Sequence, residues 1–282
     1  MHKQQGMALF QVLLMVAIIS VLLLVMSQQT RSSIERAQAM QDQAELQLAL
    51  ESSANYVDAL LLSNDWLIAR NQPDHPLAGI NFYNYPQTLR LPERAAYRPL
   101  GSRVTVQMQN EGSLLNVNFE TVKLRQLLLN LGVNSTRVDI MITELRNWIQ
   151  EPGQLFFQSF SDLAHLEHWD MQDVELIEPY TTLFADVLNP AWSPDEVLAI
   201  LLTQGQADTI QALRKSNENA VGMLQEFIEL RDALNSDIFP GRQQRMRITA
   251  EPEGLQLYRR IDYRSRHPIP LRLHAKHFQH VQ

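Results

Sequence analysis

Residues 3–29 read KQQGMALFQVLLMVAIISVLLLVMSQQ, and the reading of this stretch decides what the rest of the chain is built on. From Met7 to Met26 only Gln11 and Ser20 are polar, and no residue carries a charge. A helix needs about 20 mostly apolar residues to cross the hydrocarbon core of a bilayer. A cleavable secretory signal has a shorter apolar stretch, about 7–15 residues, and ends in small residues that fit an A-x-A-like site. Here the run ends in Leu24-Val25-Met26-Ser27, which offers no such site. The segment therefore reads as a retained single-pass span. Lys3 precedes it, so the short leader is expected to stay cytoplasmic and the rest to be exported, although Arg31 lies on the far side.

The residues after the span matter as much. Between Gly6 and Pro73 there is neither glycine nor proline, the two residues that most often punctuate helices. Leu46, Leu50, Ala54, Val57 and Leu61 recur at spacings of four and three, which is one apolar stripe on a helix. The spacing predicts a single helix over about residues 7–70, roughly 95 Å long at 1.5 Å per residue. An anchor joined to its domain by a flexible linker would show Gly, Ser or Pro here.

The 282 residues suffice for one large domain or two modest ones besides the span. A net charge of -7 argues against a broad nucleic-acid-binding surface. Basic residues from Arg242 to Lys276 alternate with apolar ones, which reads as a solvated strand face rather than a polyanion site. There is no cysteine, which excludes disulfides, thiolate metal sites and thiol catalysis.

Beyond Pro73 a Pro- and aromatic-rich stretch leads to alternating Val104, Val106 and Met108. A turn at Asn110-Glu111-Gly112 and a return through Leu115, Val117 and Phe119 predict a hairpin. The period then changes. FETVKLRQLLLNLGV predicts a helix stopped at Gly132, and NSTRVDIMITELRNWIQEPG a second one capped by Asn134 or Ser135. SFSDLAHLEHWDMQDVELIEPY predicts two short helices broken near His168-Trp169. In WSPDEVLAILL, Ser193, Pro194 and Glu196 form a capping-box pattern, and two more helices reach about Leu234. After Pro240 the period returns to two: Met246 and Ile248 alternate with arginines, Pro252-Glu253-Gly254 turns the chain, and Leu255, Leu257, Ile261 and Tyr263 continue. Ile269, Leu271 and Leu273 suggest a last strand. Strands before and after a helical block imply an α+β fold in which the block interrupts a sheet-bearing domain.

His165 and His168 form H-x-x-H on a predicted short helix, and His274, His277 and His280 recur in what reads as a disordered tail. The first pair lacks a convincing third ligand, although Glu167 and Asp170 are near in sequence. No G-x-S-x-G, H-E-x-x-H, P-loop or G-x-G-x-x-G motif is present, and nothing argues for an enzyme.

A short polar leader ending in Gly6, then Met7-Ala8-Leu9-Phe10 and a long apolar helix, resembles the type IV prepilin family, which includes the pseudopilins of type II secretion. The resemblance implies cleavage after Gly6 by a prepilin peptidase and N-methylation of Met7. Most members carry glutamate where this chain has Gln11, and the implied partner of that acid is the amino terminus of a neighbouring subunit. A subunit at the filament tip has no such amine beyond it, so a neutral residue suits that place, because unpaired charge within a membrane is expensive. The other reading is that Gln11 is a tolerated polar residue near the membrane interface.

EGSLLNVN, SDLAHLEHWDMQDVELIEPYTTL, NPAWSPDEVLAIL and SDIFP, in that order, are similar to the large minor pseudopilin of type II secretion, the K subunit or GspK family. The resemblance implies residues 1–6 as cleaved leader, 7–27 as transmembrane helix, 28–118 and 236–282 as a pilin-like α/β domain, and 119–235 as an inserted helical domain. It implies other minor pseudopilins, the major pseudopilin, the inner-membrane assembly platform and the prepilin peptidase as partners, with the bulk of the chain periplasmic. It also implies calcium, but Asn147 and Gln150 stand where acids are expected, and Glu151 and Asp162 alone remain nearby. Calcium takes six to eight oxygens, several of them carboxylate, so no cofactor is expected. Two rival readings are a minor pilin of a type IV pilus and a membrane-anchored periplasmic protein that never polymerises.

Overall fold

With nothing to interrupt it, the chain winds into α1, Lys3–Ser63. The computed structural model describes residues 3–69, 72, 74–88, 103–151, 153, 155–184, 188–216, 220–227, 240–251, 255–264 and 271–280. The chain divides into two compact units, residues 1–49 and residues 50–282. In the first, every residue from Leu9 to Met26 is exposed. One helix here is long and apolar enough to cross a membrane, which fits a single-pass anchor.

In the second unit the stripe expected from spacing is buried: Leu50, Ala54, Val57 and Leu61 are at most 1% exposed. α1 stops at Ser63 instead of running to residue 70, and Arg70 lies outside the described residues. The Asn64 side-chain amide donates to the Leu60 carbonyl (2.8 Å), and the Trp66 indole donates to that of Leu61 (2.6 Å). Side chains thereby take carbonyls that another helical turn would have used. Asp65 then accepts from the Ile68 amide and starts α2, Trp66–Ala69.

In chain order the strands are β1 (Gln87–Thr88), β2 (Arg103–Asn110), β3 (Leu115–Asn116), β4 (Thr181–Thr182), β5 (Gln243–Glu251), β6 (Leu255–Asp262) and β7 (Arg272–His280). The remaining α-helices are α3 (Thr121–Asn130), α4 (Ser135–Gln150), α5 (Phe160–Leu163), α6 (Met171–Ile177), α7 (Asp195–Leu201), α8 (Gln204–Lys215) and α9 (Ala220–Phe227). The architecture is α+β. An antiparallel sheet runs β1-β2-β5-β6-β7. Its period-two residues Val104, Val106, Met108, Met246, Ile248 and Leu257 are all buried. β2 and β5 lie side by side with Val106 opposite Ile248, although α3 to α9 separate them in the chain.

The expected hairpin does not form. Glu111–Ser113 make a 3-10 turn, capped by Asn110 Oδ1 accepting from the Gly112 amide (2.8 Å), and the chain leaves the sheet. β3 pairs in parallel with β4, and Leu115 and Val117 join the core of the helices. β2 takes a partner more than a hundred residues away, which local alternation cannot reveal. The turn at residues 252–254, the helix end near residue 234 and the Ile269 position lie outside the described residues.

The helices obey their local signals more closely. α3 ends where Gly132 adopts φ +89°, a region only glycine enters freely, and the Gly132 and Val133 amides return to Leu129 and Leu128 (both 3.0 Å). Asn134 caps α4 by accepting from Thr136 (3.0 Å). Leu124, Leu127, Leu128, Met141 and Leu145 then meet in one buried cluster. The Ser193 capping box is absent: α7 is preceded by Pro194, and the buried Ser193 hydroxyl donates to the Ser113 carbonyl instead (2.8 Å). Tertiary packing claims that hydroxyl before the helix can use it.

Candidate functional site

Gly6, Met7 and Gln11 all lie on α1. The Gln11 amide is exposed among exposed apolar neighbours. Within the first unit this is a bare apolar surface carrying one amide, the form expected of a segment whose partners are lipid or other helices.

The second unit is fastened by buried charge that local sequence patterns do not disclose. The arginines of β5 and β6, expected on a solvated face, are drawn inward, and Arg245 is only 7% exposed. It meets Glu111 through two nitrogens (2.8 and 3.2 Å) and donates to the Thr181 carbonyl (2.6 Å). Arg260 reaches the same Glu111 (2.9 Å), and the Thr182 hydroxyl donates to it (2.8 Å). Burial pushes the Glu111 pKa up, but Arg245, Arg260 and Thr182 outweigh that and hold the carboxyl below its ordinary value. One carboxylate thus joins the turn after β2, β4 and two sheet strands. The signal in the sequence is an acid directly after a strand, with arginines at period two later; nothing local pairs them.

Two further knots do related work. Asp58 on α1 accepts from Arg259 (2.8 Å) and the Tyr263 hydroxyl (2.7 Å), which ties residues 50–63 of the helix to β6. Arg214 on α8 is 4% exposed; it donates to Asp195 (3.0 Å) and the Ser193 carbonyl (2.8 Å), and lies over the Tyr83 ring. Trp66, Phe82 and Trp192 form an aromatic chain, with ring centroids 5.1 and 5.5 Å apart.

The histidines fall elsewhere than the sequence places them. His165 and His168 follow the end of α5 in turns, and the His168 ring lies 3.3 Å from Glu144, which also accepts from the His168 amide (3.1 Å). His274 and His277 are not in a disordered tail but in β7, where His277 stacks near Tyr258 at 4.7 Å. Asp162 caps α5 by accepting from Ser159 (2.9 Å), so it is already committed locally. Among the described residues no group of three or more His, Cys, Asp or Glu side chains could hold a metal ion.

No protein-family model matches the chain, and no curated protein matches it. Among solved structures, it is similar to a chain in the crystal structure of the GspK-GspI-GspJ complex from the type 2 secretion system of enterotoxigenic Escherichia coli. That match covers 86% of this chain and 99% of the other, at 14% sequence identity and a TM-score of 0.46.

Proposed function

We propose that the chain is a minor pseudopilin of a type II secretion system, held in the bacterial inner membrane by α1 with its N-terminus cytoplasmic and its bulk periplasmic. A prepilin peptidase cuts after Gly6 and methylates the new amine of Met7. The mature helix then joins other minor pseudopilins and the major pseudopilin at the inner-membrane assembly platform, and helps to start and cap the periplasmic pseudopilus. Its work is assembly rather than catalysis, and needs no cofactor or calcium.

The observation that carries this reading is that α1 stays helical from a bare, membrane-length apolar segment through to residues whose apolar stripe is buried. A plain anchor needs no such continuity, whereas a subunit that packs its span into a filament does. A place at the tip is supported by two features: the neutral Gln11, and the mass of α3 to α9 emerging between adjacent strands β2 and β5, which would crowd a shaft surrounded on all sides.

Mass spectrometry of the mature amino terminus tests the reading. An N-methylated Met7 is expected, and Gly6→Val is expected to leave the full-length precursor. An intact Met1 in the wild type, or a cut beyond Met26, would sink the proposal. A second experiment addresses the tip. Gln11→Glu places an unpaired carboxylate in the membrane, which costs about 2.5–3.5 kcal/mol at the centre and less near the interface. It is expected to lower secretion of a reporter while Gln11→Leu does not; equal secretion from both returns Gln11 to a merely tolerated residue.

A further inference from the structure

We propose that the open edge of β7 docks an extended acidic segment of a partner protein, which joins the five-stranded sheet as a further strand. The site stands apart from the filament reading and does not depend on it. β6 lies between β5 and β7, but β7 pairs with β6 alone. No strand and no isolated bridge takes its other side among the described residues. Alternate residues of an antiparallel strand turn their N–H and C=O groups to opposite sides, so about half of the backbone groups of β7 face outward. From Ala275 to His280 the register against Arg260 to Leu255 is unbroken, and the one shift falls beside His274. That regular stretch spans about 20 Å. Proteins commonly blunt such an edge with proline, a very short strand or a covering element. β7 has nine residues and no proline, while β1 at the opposite end of the sheet has two described residues.

A helix spends its backbone groups internally, so only an extended chain can pair with this row. The side chains then choose among extended partners. Residues 272–280 read RLHAKHFQH, with Arg272 and Lys276 as fixed cations, three histidines and no acid. A second copy pairing edge to edge would set these residues against one another or against neutral ones. It gains no opposite-charge pair, and like charges directly opposite are destabilising. An acidic strand turns the same positions into attraction. The two faces of β7 differ in what they leave unmet. Lys276, opposite Arg259, turns toward α1, where Glu51 already balances it. Arg272 stands opposite Asp262 and His277 opposite Tyr258. Asp262 and Tyr258, four apart on β6, share the other face. Arg264 occupies the Asp262 carboxylate (2.6 and 2.8 Å). Arg272 is exposed and makes no ion pair among the described residues. Arg272 and His277 thus mark the face on which the partner's acids lie.

The full chain in detergent would be titrated with a fluorescent eight-residue peptide that alternates valine and glutamate. Binding is read by anisotropy, and its place by hydrogen exchange of the amides of residues 272–280. One comparison peptide carries lysine for glutamate. The other keeps the glutamates but is N-methylated at its four central residues, which removes donors from both of its edges. The acidic peptide is expected to bind with a dissociation constant of roughly 0.1 mM and to slow exchange over residues 275–280. Each comparison peptide is expected to bind roughly tenfold more weakly or worse. Arg272→Gln is expected to weaken the acidic peptide roughly threefold, the worth of one cross-strand charge pair. The wild-type comparisons decide the matter should that variant unfold. The proposal is overturned if the acidic peptide does not bind at several times that concentration, or if exchange over residues 275–280 is unchanged. It is equally overturned if either comparison peptide binds as tightly, or if a folded Arg272→Gln binds like the wild type. Protection that appears without peptide and grows with protein concentration would give the edge to a second copy, and would overturn it too.

Discussion

Glu111→Ala is expected to lower the stability of the second unit by about 3–5 kcal/mol, the usual cost of removing one partner from a buried ion pair. The substitution leaves Arg245, fully enclosed against the Thr181 carbonyl, and Arg260 without their shared carboxylate. In a domain of this size the melting temperature should fall by roughly 10 °C. The same group sets a pH dependence. Its folded pKa is depressed, so the unfolded chain binds a proton more readily in the interval between the two values. The contribution is therefore complete above the ordinary value of 4.5 and drains away as pH falls through the lower folded value. Urea unfolding of the wild type and Glu111→Gln across that interval should show the acid-side loss in the wild type and its absence in the variant. Parallel curves would remove Glu111 from the role assigned to it.

The second large effect concerns Asp58, and its sign is opposite. Burial raises the Asp58 pKa more than the Tyr263 hydroxyl and Arg259 lower it. The folded state then holds its proton more firmly than the unfolded one. This contribution is complete below the ordinary value of 3.8 and is lost as pH rises through the raised folded value. An amide at residue 58 still offers an acceptor to Arg259 and the Tyr263 hydroxyl. Asp58→Asn should cost about 1 kcal/mol or less, whereas Asp58→Ala should cost about 3 kcal/mol by leaving the Arg259 guanidinium, 7% exposed, without an acceptor. Chemical unfolding of both variants at neutral pH separates these outcomes. Equal losses from Asn and Ala would mean that the charge itself is what the site requires.

These knots explain where the sequence is legible and where it is not. The stripe Leu50-Ala54-Val57-Leu61, the stop at Gly132 and the Asn134 cap depend on neighbours within a few residues, and they form as the spacing predicts. The period-two strands β2, β5 and β6 are likewise legible one by one. Their partners are not, because pairing is decided by contacts across long stretches of chain. The hairpin at Asn110-Glu111-Gly112 is locally sound, and it fails because Glu111 is drawn to Arg245 and Arg260 while Leu115 and Val117 are drawn into the helical core. Ser193 is lost to the Ser113 carbonyl for the same kind of reason.

By itself the sequence determined the continuity of the helix from the apolar run into the buried stripe, the absence of thiol chemistry, and the alternation of a strand period with a helical one. Each of these is a matter of residue type and local spacing, which solvent and backbone geometry act on directly. Only the tertiary structure decided that β2 lies against β5, that arginines from two different strands meet on one buried carboxylate, and that a strand occupies the histidine-bearing end. Those outcomes turn on which polar groups lose water together, and a buried charge is tolerated only where the whole fold brings its partner.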